Sequence, residues 1–165
     1  MRDIGTAAPD VTFIDEAGNP VKTSDFAGHW VVLWWYPEAN TPGCTLQAAS
    51  IERHLAEIEA DGTVILGASF DAPEKNNPFA CERTVPLRLL SDVNREAGEA
   101  YDVLRDPDDP GYHRSKRCTF YIDPAGRIAH AEDATSLDLT HYGPHVLSTL
   151  AQLKSDASAA TITVG

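Results

Sequence analysis

The chain has few cysteines, few basic residues and no long apolar run, and each shortage excludes a class of protein. Its three cysteines, odd in number and widely spaced in 165 residues, do not fit a secreted disulfide scaffold. Lysine and arginine number 13 against 25 aspartates and glutamates, and the net charge of −12 would repel nucleic acids and anionic membranes. No apolar run approaches the roughly 18 residues that span a bilayer, and no apolar signal segment follows Met1. We therefore expect a cytoplasmic protein that binds neither nucleic acid nor membrane.

The length and the apolar content indicate a single domain with a substantial core. Hydrophobic residues make up 42% of the chain, and short apolar runs typical of buried strands alternate with stretches of helical periodicity. We expect an α/β fold with a central mixed β-sheet flanked by helices and an N-terminal β-hairpin that turns at residues 15–19. The domain should span residues 1–154. Residues 155–165 lack a core pattern, which predicts a disordered tail.

The most informative stretch lies between residues 31 and 61. Residues 31–36 form a nearly all-apolar run, typical of a strand buried on both faces, and Pro37 ends it. After Cys44, apolar residues recur at helical spacing up to Gly62, which suits a helix end. Cys44 therefore falls in the first helical turn, where unpaired N–H groups and the positive end of the helix dipole favour a nucleophilic thiolate. The alternative is that Cys44 is a small buried hydrophobe.

Residues 37–44 read Pro-Glu-Ala-Asn-Thr-Pro-Gly-Cys, and this segment resembles the P-x-x-x-T-x-x-C motif of the peroxiredoxins of the AhpC/TSA superfamily. Thr-Pro-Gly-Cys-Thr after a buried strand is similar to the bacterioferritin-comigratory, or Q-type, branch. Further matches follow in chain order at residues 8–10, 24–28, 90–92 and 117–123. The resemblance implies a thioredoxin-like fold and a thiol peroxidase with no metal or organic cofactor.

The resemblance also implies a role for each residue of the site. Cys44 would attack one oxygen of a hydroperoxide and become a sulfenic acid. Thr41 and nearby backbone N–H groups would orient the peroxide, and Pro37 would shield the thiolate from water. The R-x-T-F match identifies Arg117 as the cation that stabilises the departing oxygen, with Arg114 as the competing candidate. Thr41 could instead cap the helix, and Arg117 could be a surface cation at a strand edge.

The second cysteine departs from a common Q-type pattern. Many Q-type enzymes carry a resolving cysteine five residues after the peroxidatic one, where this chain has Ala49. Another subset of the branch carries it in the helix after the second strand of the core, which corresponds to Cys81, and this resemblance implies a Cys44–Cys81 disulfide. Cys118 alternates with Arg117 along a strand, so we expect its thiol in the core on the other face. A one-cysteine enzyme is the alternative for Cys81.

The helix that carries Cys81 is predicted to be weak. It begins near residues 71–74, and Pro78 cannot donate to the helical ladder and disfavours helical geometry at Asn77. Residues 79–83 should therefore form a short or frayed piece. Because the two cysteines sit in separately packed elements, we expect their Cα atoms beyond the ~7 Å limit for a disulfide, so that bridging requires local unfolding.

The remaining expectations concern partners, metals and an alternative function. The resemblance implies a hydroperoxide substrate, thioredoxin or a similar dithiol as reductant, and a monomer or weak homodimer. His141 and His145 are four residues apart, but Pro144 between them breaks the shared helical face, so we expect no metal site. A redox-sensing thioredoxin-fold protein that has lost turnover is the alternative, and it would consume peroxide in a single burst.

Overall fold

The computed structural model describes residues 1–81 and 87–164, with side chains for residues 1–79 and 87–159. Within these ranges the strands are β1 (Thr12–Ile14), β2 (Pro20–Lys22), β3 (Val31–Trp35), β4 (Val64–Ser69), β5 (Leu89–Ser91), β6 (Cys118–Ile122) and β7 (Ile128–Asp133). The helices are α1 (Pro42–Glu59), α2 (Pro73–Cys81), α3 (Glu96–Ala100) and α4 (Tyr142–Val164), with short 3-10 turns at Thr23–Phe26 and Leu139–His141.

The strands form one mixed sheet in the order β2-β1-β5-β4-β3-β6-β7. β4 lies parallel to β3 and to β5, whereas the other neighbouring pairs are antiparallel. β1 and β2 form the predicted N-terminal hairpin, because the Asp15 carboxylate accepts the N–H groups of Ala17 and Asn19 and Gly18 supplies a φ of 86°. The predicted mixed sheet and hairpin are confirmed.

The central strand β3 is buried on both faces. Val32 and Trp34 belong to the core beneath α1 and α4, whereas Leu33 and Trp35 belong to the core on the opposite face. Side chains alternate along a strand, so a sheet that is covered on both sides needs apolar residues at every position of its central strand. This requirement explains the unbroken apolar run in the sequence.

Helices α1 and α4 pack against each other on one face of the sheet. The inward stripe of α1 is mostly apolar and includes Ala48, Ile51 and Ile58, all of which are buried. The first turn of α4 approaches α1 closely: a Cβ atom added at Gly143 would lie 2.5 Å from the carbonyl oxygen of Ser50. The Gly143 N–H donates to Ser50 Oγ at 2.8 Å, which fixes the start of α4 beside α1.

Helix α4 continues to Val164, where the sequence predicts a disordered tail from residue 155. The side chains of residues 155–159 are exposed, so burial does not account for this part of the helix. Alanine has the strongest helix propensity, and residues 157, 159 and 160 are alanines. The helix is also tied to the segment between α1 and β4, since Lys154 Nζ donates to the Asp61 carboxylate and the Thr63 hydroxyl. None of the helices in the described ranges is both long and apolar enough to cross a membrane.

Candidate active site

Cys44 lies in the first turn of α1, just beyond the carboxyl end of β3. The connection between them turns at Asn40, which has a φ of 66°, and the Ala39 N–H donates to Asp71 Oδ2 at 2.7 Å. The Thr45 N–H already bonds to the Thr41 carbonyl at 2.9 Å, so the first helical turn is complete. Cys44 is fully buried. The predicted position of the thiol at a helix N-terminus is therefore confirmed, and the thiol is screened from bulk water.

Arg117 is the cation that faces this thiol. Its Nη2 lies 3.5 Å from Cys44 Sγ, and its Nη1 donates to Gln47 Oε1 at 2.5 Å. The register between β3 and β6 pairs Trp35 with Cys118, which brings the preceding residue to the end of β3 where α1 begins. A Cβ atom added at Gly43 would lie 3.1 Å from Nη2, so a glycine there leaves room for the guanidinium. A permanent cation at this distance stabilises negative charge on the sulfur and on a neighbouring oxygen.

Arg114, the competing candidate, points to a carboxylate instead. Its Nη2 pairs with Glu38 Oε2 at 2.7 Å, while Lys75 Nζ binds Glu38 Oε1 at 2.5 Å. The hydrogen bond from Lys75 holds the pKa of Glu38 below its usual value. Glu38 thus joins α2 to the loop that carries Arg114, and Arg114 is committed to this ion pair.

Pro37 and Thr41 lie on the connection between β3 and α1. Pro37 is half-buried and directly follows Tyr36, whose carbonyl accepts a hydrogen bond from Ser115 Oγ at 3.0 Å. Thr41 occupies the N-cap position of α1, but its side chain makes no capping hydrogen bond, because Oγ1 donates to the Glu38 carbonyl at 2.7 Å. The structure therefore places both residues on the loop that leads into Cys44.

The other two cysteines lie on β6 and at the end of α2. Cys118 is buried in the core on the opposite face of the sheet from Cys44, as predicted, and burial raises the pKa of its thiol to about 11. Helix α2 continues past Pro78 and ends at Cys81. The side chain of Cys81 lies outside the described residues, and so do residues 82–83 of the segment predicted to fray. The predicted separation of the two cysteines stays a prediction.

The sequence reasoning missed a buried polar group behind Arg117. Gln47, three residues after Cys44 on the inner face of α1, is fully buried and accepts from the guanidinium. Tyr142 and Thr119 are also fully buried, and their hydroxyl oxygens lie 2.5 Å apart. A polar residue at a core position of an amphipathic helix is the signal that could have found Gln47.

The histidines near the C-terminal part of the fold are engaged with carboxylates. His141 Nδ1 lies 2.8 Å from Asp138 Oδ2, and His145 Nε2 lies 2.9 Å from Glu132 Oε1. Across the part of the chain that the structure describes, no three histidine, cysteine, aspartate or glutamate side chains lie close enough together to hold a metal ion.

Comparison with known proteins shows one consistent family. The AhpC/TSA family model matches residues 4–131, a range that includes Cys44 and Arg117. The chain is similar to peroxiredoxin Bcp of Escherichia coli (strain K12), with 36% identity over 78% of this chain and 84% of that protein. It is also similar to peroxiredoxin Bcp of Bacillus subtilis (strain 168), with 38% identity over 76% of this chain and 82% of that protein.

Solved structures give the same result. A bacterioferritin comigratory protein of Xanthomonas campestris, studied for its alkyl peroxide reduction activity, matches with a TM-score of 0.80 and 26% identity over 92% of this chain and 98% of that one. Peroxidoxin BcpB of Mycobacterium tuberculosis matches with a TM-score of 0.82 and 27% identity over the same shares of the two chains. The predicted thioredoxin-like architecture is confirmed by these matches.

Proposed function

Because the chain belongs to the AhpC/TSA family of peroxiredoxins and is a thiol-dependent peroxidase, we propose that Cys44 is its peroxidatic residue and that it reduces hydrogen peroxide or organic hydroperoxides. The observation that carries this proposal is the 3.5 Å contact between Arg117 Nη2 and Cys44 Sγ at the start of α1. The guanidinium and the helix N-terminus both stabilise negative charge on the sulfur. The buried sulfur therefore has two sources of positive potential beside it.

The reaction transfers one oxygen from the peroxide to the sulfur. The thiolate attacks along the O–O axis, an S–O bond forms as the O–O bond breaks, and the other oxygen leaves as an alkoxide or hydroxide that takes up a proton. Arg117 and the N–H groups of Gly43 and Cys44 stabilise the charge on the departing oxygen. Pro37 shields the thiolate from water.

Thr41 orients the peroxide in this scheme. Its single hydroxyl proton is donated to the Glu38 carbonyl, which leaves the lone pairs of Oγ1 to accept the O–H of a bound hydroperoxide. A helix-cap role would direct Oγ1 at a backbone N–H of α1, but the side chain makes no such bond. The direction of the Thr41 hydroxyl therefore supports a substrate-binding role.

The second half of the cycle uses Cys81. Its thiol attacks the sulfur of the Cys44 sulfenic acid, an S–S bond forms and water leaves; thioredoxin or a similar dithiol then reduces the disulfide. The burial of Cys118 on the opposite face of the sheet supports this choice, because a raised pKa keeps that thiol neutral and it cannot reach Cys44. Reduction by thioredoxin or a similar dithiol suits a reducing compartment, so we place the protein in the cytoplasm. A monomer or a weak homodimer can complete the cycle.

Two measurements test the function and the pairing of the cysteines. Stopped-flow assays should show rapid peroxide consumption by the reduced protein and sustained turnover with thioredoxin, whereas Cys44→Ser should retain less than a few per cent of the wild-type rate. Consumption that survives in Cys44→Ser would overturn the peroxidatic role of Cys44. A single burst without turnover would indicate a redox sensor.

Peptide mapping under non-reducing conditions, after one equivalent of peroxide, identifies the sulfur atoms that join. We expect a peptide pair linked by Cys44 and Cys81. A link between Cys44 and Cys118 would assign the resolving role to the other cysteine. A sulfenic acid without any internal link would indicate a one-cysteine enzyme.

A further inference from the structure

A chain of buried polar groups continues behind Arg117. The guanidinium can only donate, so its 2.5 Å contact with Gln47 must use the amide oxygen of that residue and turns Nε2 away from Arg117. Gln47 is fully buried, and among the described residues no atom accepts from Nε2 in good hydrogen-bond geometry. Since a buried amide N–H needs an acceptor, the orientation of Gln47 depends on the nearest polar group on that side.

Tyr142 begins α4 beside Gly143, whose N–H reaches Ser50 Oγ about one helical turn beyond Gln47 on α1. Burial raises the pKa of Tyr142 above its ordinary value, so the phenol stays neutral, and hydrogen bonding from Thr119 and Gln47 opposes this effect. The Tyr142 hydroxyl oxygen lies 2.5 Å from Thr119 Oγ1. A neutral phenol can donate to one neighbour and accept from the other, so it can join Thr119 to the Gln47 amide.

We propose that Tyr142 is a positioning residue for peroxide reduction, acting through Gln47 to hold the Arg117 guanidinium against Cys44. The inference rests on the proposed role of Arg117 in that reaction. A hydroxyl in this position fixes which way the Gln47 amide faces, and the amide oxygen then fixes Nη1, which leaves Nη2 aimed at the sulfur. Side-chain geometry at a reacting centre affects rate steeply, because small displacements weaken charge stabilisation in the transition state.

The backbone supports this arrangement from two directions. Gly143 allows α4 to approach α1 so closely that its N–H reaches Ser50 Oγ, and this contact sets the depth of the neighbouring Tyr142. Thr119 is two residues from Arg117 along the chain entering β6, and side chains two apart point to the same face. The phenol is therefore located by α4, and its partner by the same strand segment that carries the arginine.

The test compares two tyrosines that each lose one buried oxygen. Tyr142→Phe removes the hydroxyl beside Gln47, whereas the matched control Tyr121→Phe removes a hydroxyl that donates to Glu132 Oε1 at 3.1 Å. Stopped-flow kinetics should show kcat/KM for hydrogen peroxide reduced by about fivefold to tenfold in Tyr142→Phe and unchanged in Tyr121→Phe. The rate at which the oxidised enzyme is reduced should stay constant in both. A loss of folded protein would instead lower kcat/KM and the rate of reduction of the oxidised enzyme together.

A double-mutant cycle isolates the route through Gln47. In the Gln47→Ala background, Tyr142→Phe should have no further effect on kcat/KM, because the link to Arg117 is already broken. An equal loss in both backgrounds would overturn the inference, as would a Tyr142→Phe rate within twofold of wild type. If Tyr142→Phe does not fold, as judged by circular dichroism, Thr119→Val removes the other partner of the phenol and should lower kcat/KM in the same way; an unchanged rate would again overturn it.

The same assay separates this inference from the function on which it rests. If Arg117→Met leaves the peroxide reaction unchanged, the proposed role of Arg117 is wrong, and the role of Tyr142 is wrong with it. If Arg117→Met is slow and Tyr142→Phe is not, only the positioning role of Tyr142 is overturned.

Discussion

Replacement of Arg117 by methionine should slow the reaction of Cys44 with peroxide by about two orders of magnitude. Methionine keeps an unbranched apolar stem but removes the charge and the donors. In the structure Nη2 lies 3.5 Å from Cys44 Sγ, and two unit charges at that distance with an effective dielectric constant of about 20 interact by roughly 5 kcal/mol. Only the part of this interaction that increases between the ground state and the transition state accelerates the chemical step.

The negative charge moves from the sulfur to the departing oxygen during the reaction. Arg117 already contacts the sulfur before the reaction begins, so in the proposed mechanism part of its interaction is present in the ground state. A hundredfold loss corresponds to about 2.7 kcal/mol, the usual cost of removing one charge-stabilising donor and about half of the Coulomb energy above. The remainder is already present before the reaction begins and does not accelerate the chemical step.

The assay mixes the pre-reduced variant with hydrogen peroxide in a stopped-flow instrument and follows peroxide consumption under single-turnover conditions. Arg114→Met is the matched control, because it removes the same charge three residues upstream, where the guanidinium pairs with Glu38. We expect this control to stay within about threefold of wild type, as for other partly exposed ion pairs. An Arg117→Met rate within fivefold of wild type, or a larger loss in Arg114→Met, would refute the assignment of the catalytic cation.

Three further predictions test other parts of the molecule. Cys118→Ser should leave the peroxidase rate and the disulfide intact, and the absence of a disulfide in peptide maps of this variant would contradict that expectation. Pro78→Ala, which restores an N–H donor inside α2, should slow disulfide formation but not sulfenic acid formation; equal slowing of both stopped-flow phases would argue against it. The hydrogen bond from Lys154 lowers the pKa of Asp61 to about 2, below the unfolded value of about 3.9, so its stabilisation is present above about pH 4 and lost as the pH falls through 2. Lys154→Met should therefore flatten the pH dependence of urea unfolding in this window, by less than about 1 kcal/mol because the Asp61 carboxylate is exposed.

The position of Cys44 was predictable because it depends on local signals. An apolar strand, a proline and a helical apolar stripe follow one another within 30 residues, and each leaves its own periodicity in the sequence. The burial of Cys118 was predictable for a similar reason, because successive side chains of a strand point to opposite faces and Cys118 directly follows Arg117. The contact between Arg117 and Cys44 needed the family resemblance, because periodicity alone does not give the pairing of β3 with β6.

Sequence periodicity could not predict that Gln47 and Tyr142 lie close together. Their proximity depends on the angle and depth at which α4 crosses α1, and apolar stripes on two helices do not determine a crossing to within a hydrogen bond. Gly143 is the residue that permits the close approach, but glycine also occurs near the start of helices that no second helix approaches. The helix beyond residue 155 was missed for a different reason: core patterning carries no information where a helix is exposed and depends on propensity.

The two halves of the proposed cycle place opposite demands on α2. Peroxide reduction requires a fixed loop around Cys44, and Asn76 contributes to this because it is fully buried, accepts from the Tyr36 hydroxyl at 2.7 Å and donates to Ser91 Oγ at 2.9 Å. We expect resolution to require movement of Cys81 towards Cys44. Pro78 lies between these two positions and removes the N–H that would bond to the preceding turn. We therefore expect α2 to open from its C-terminal end, while the buried Asn76 amide stays in place and Cys81 approaches Cys44.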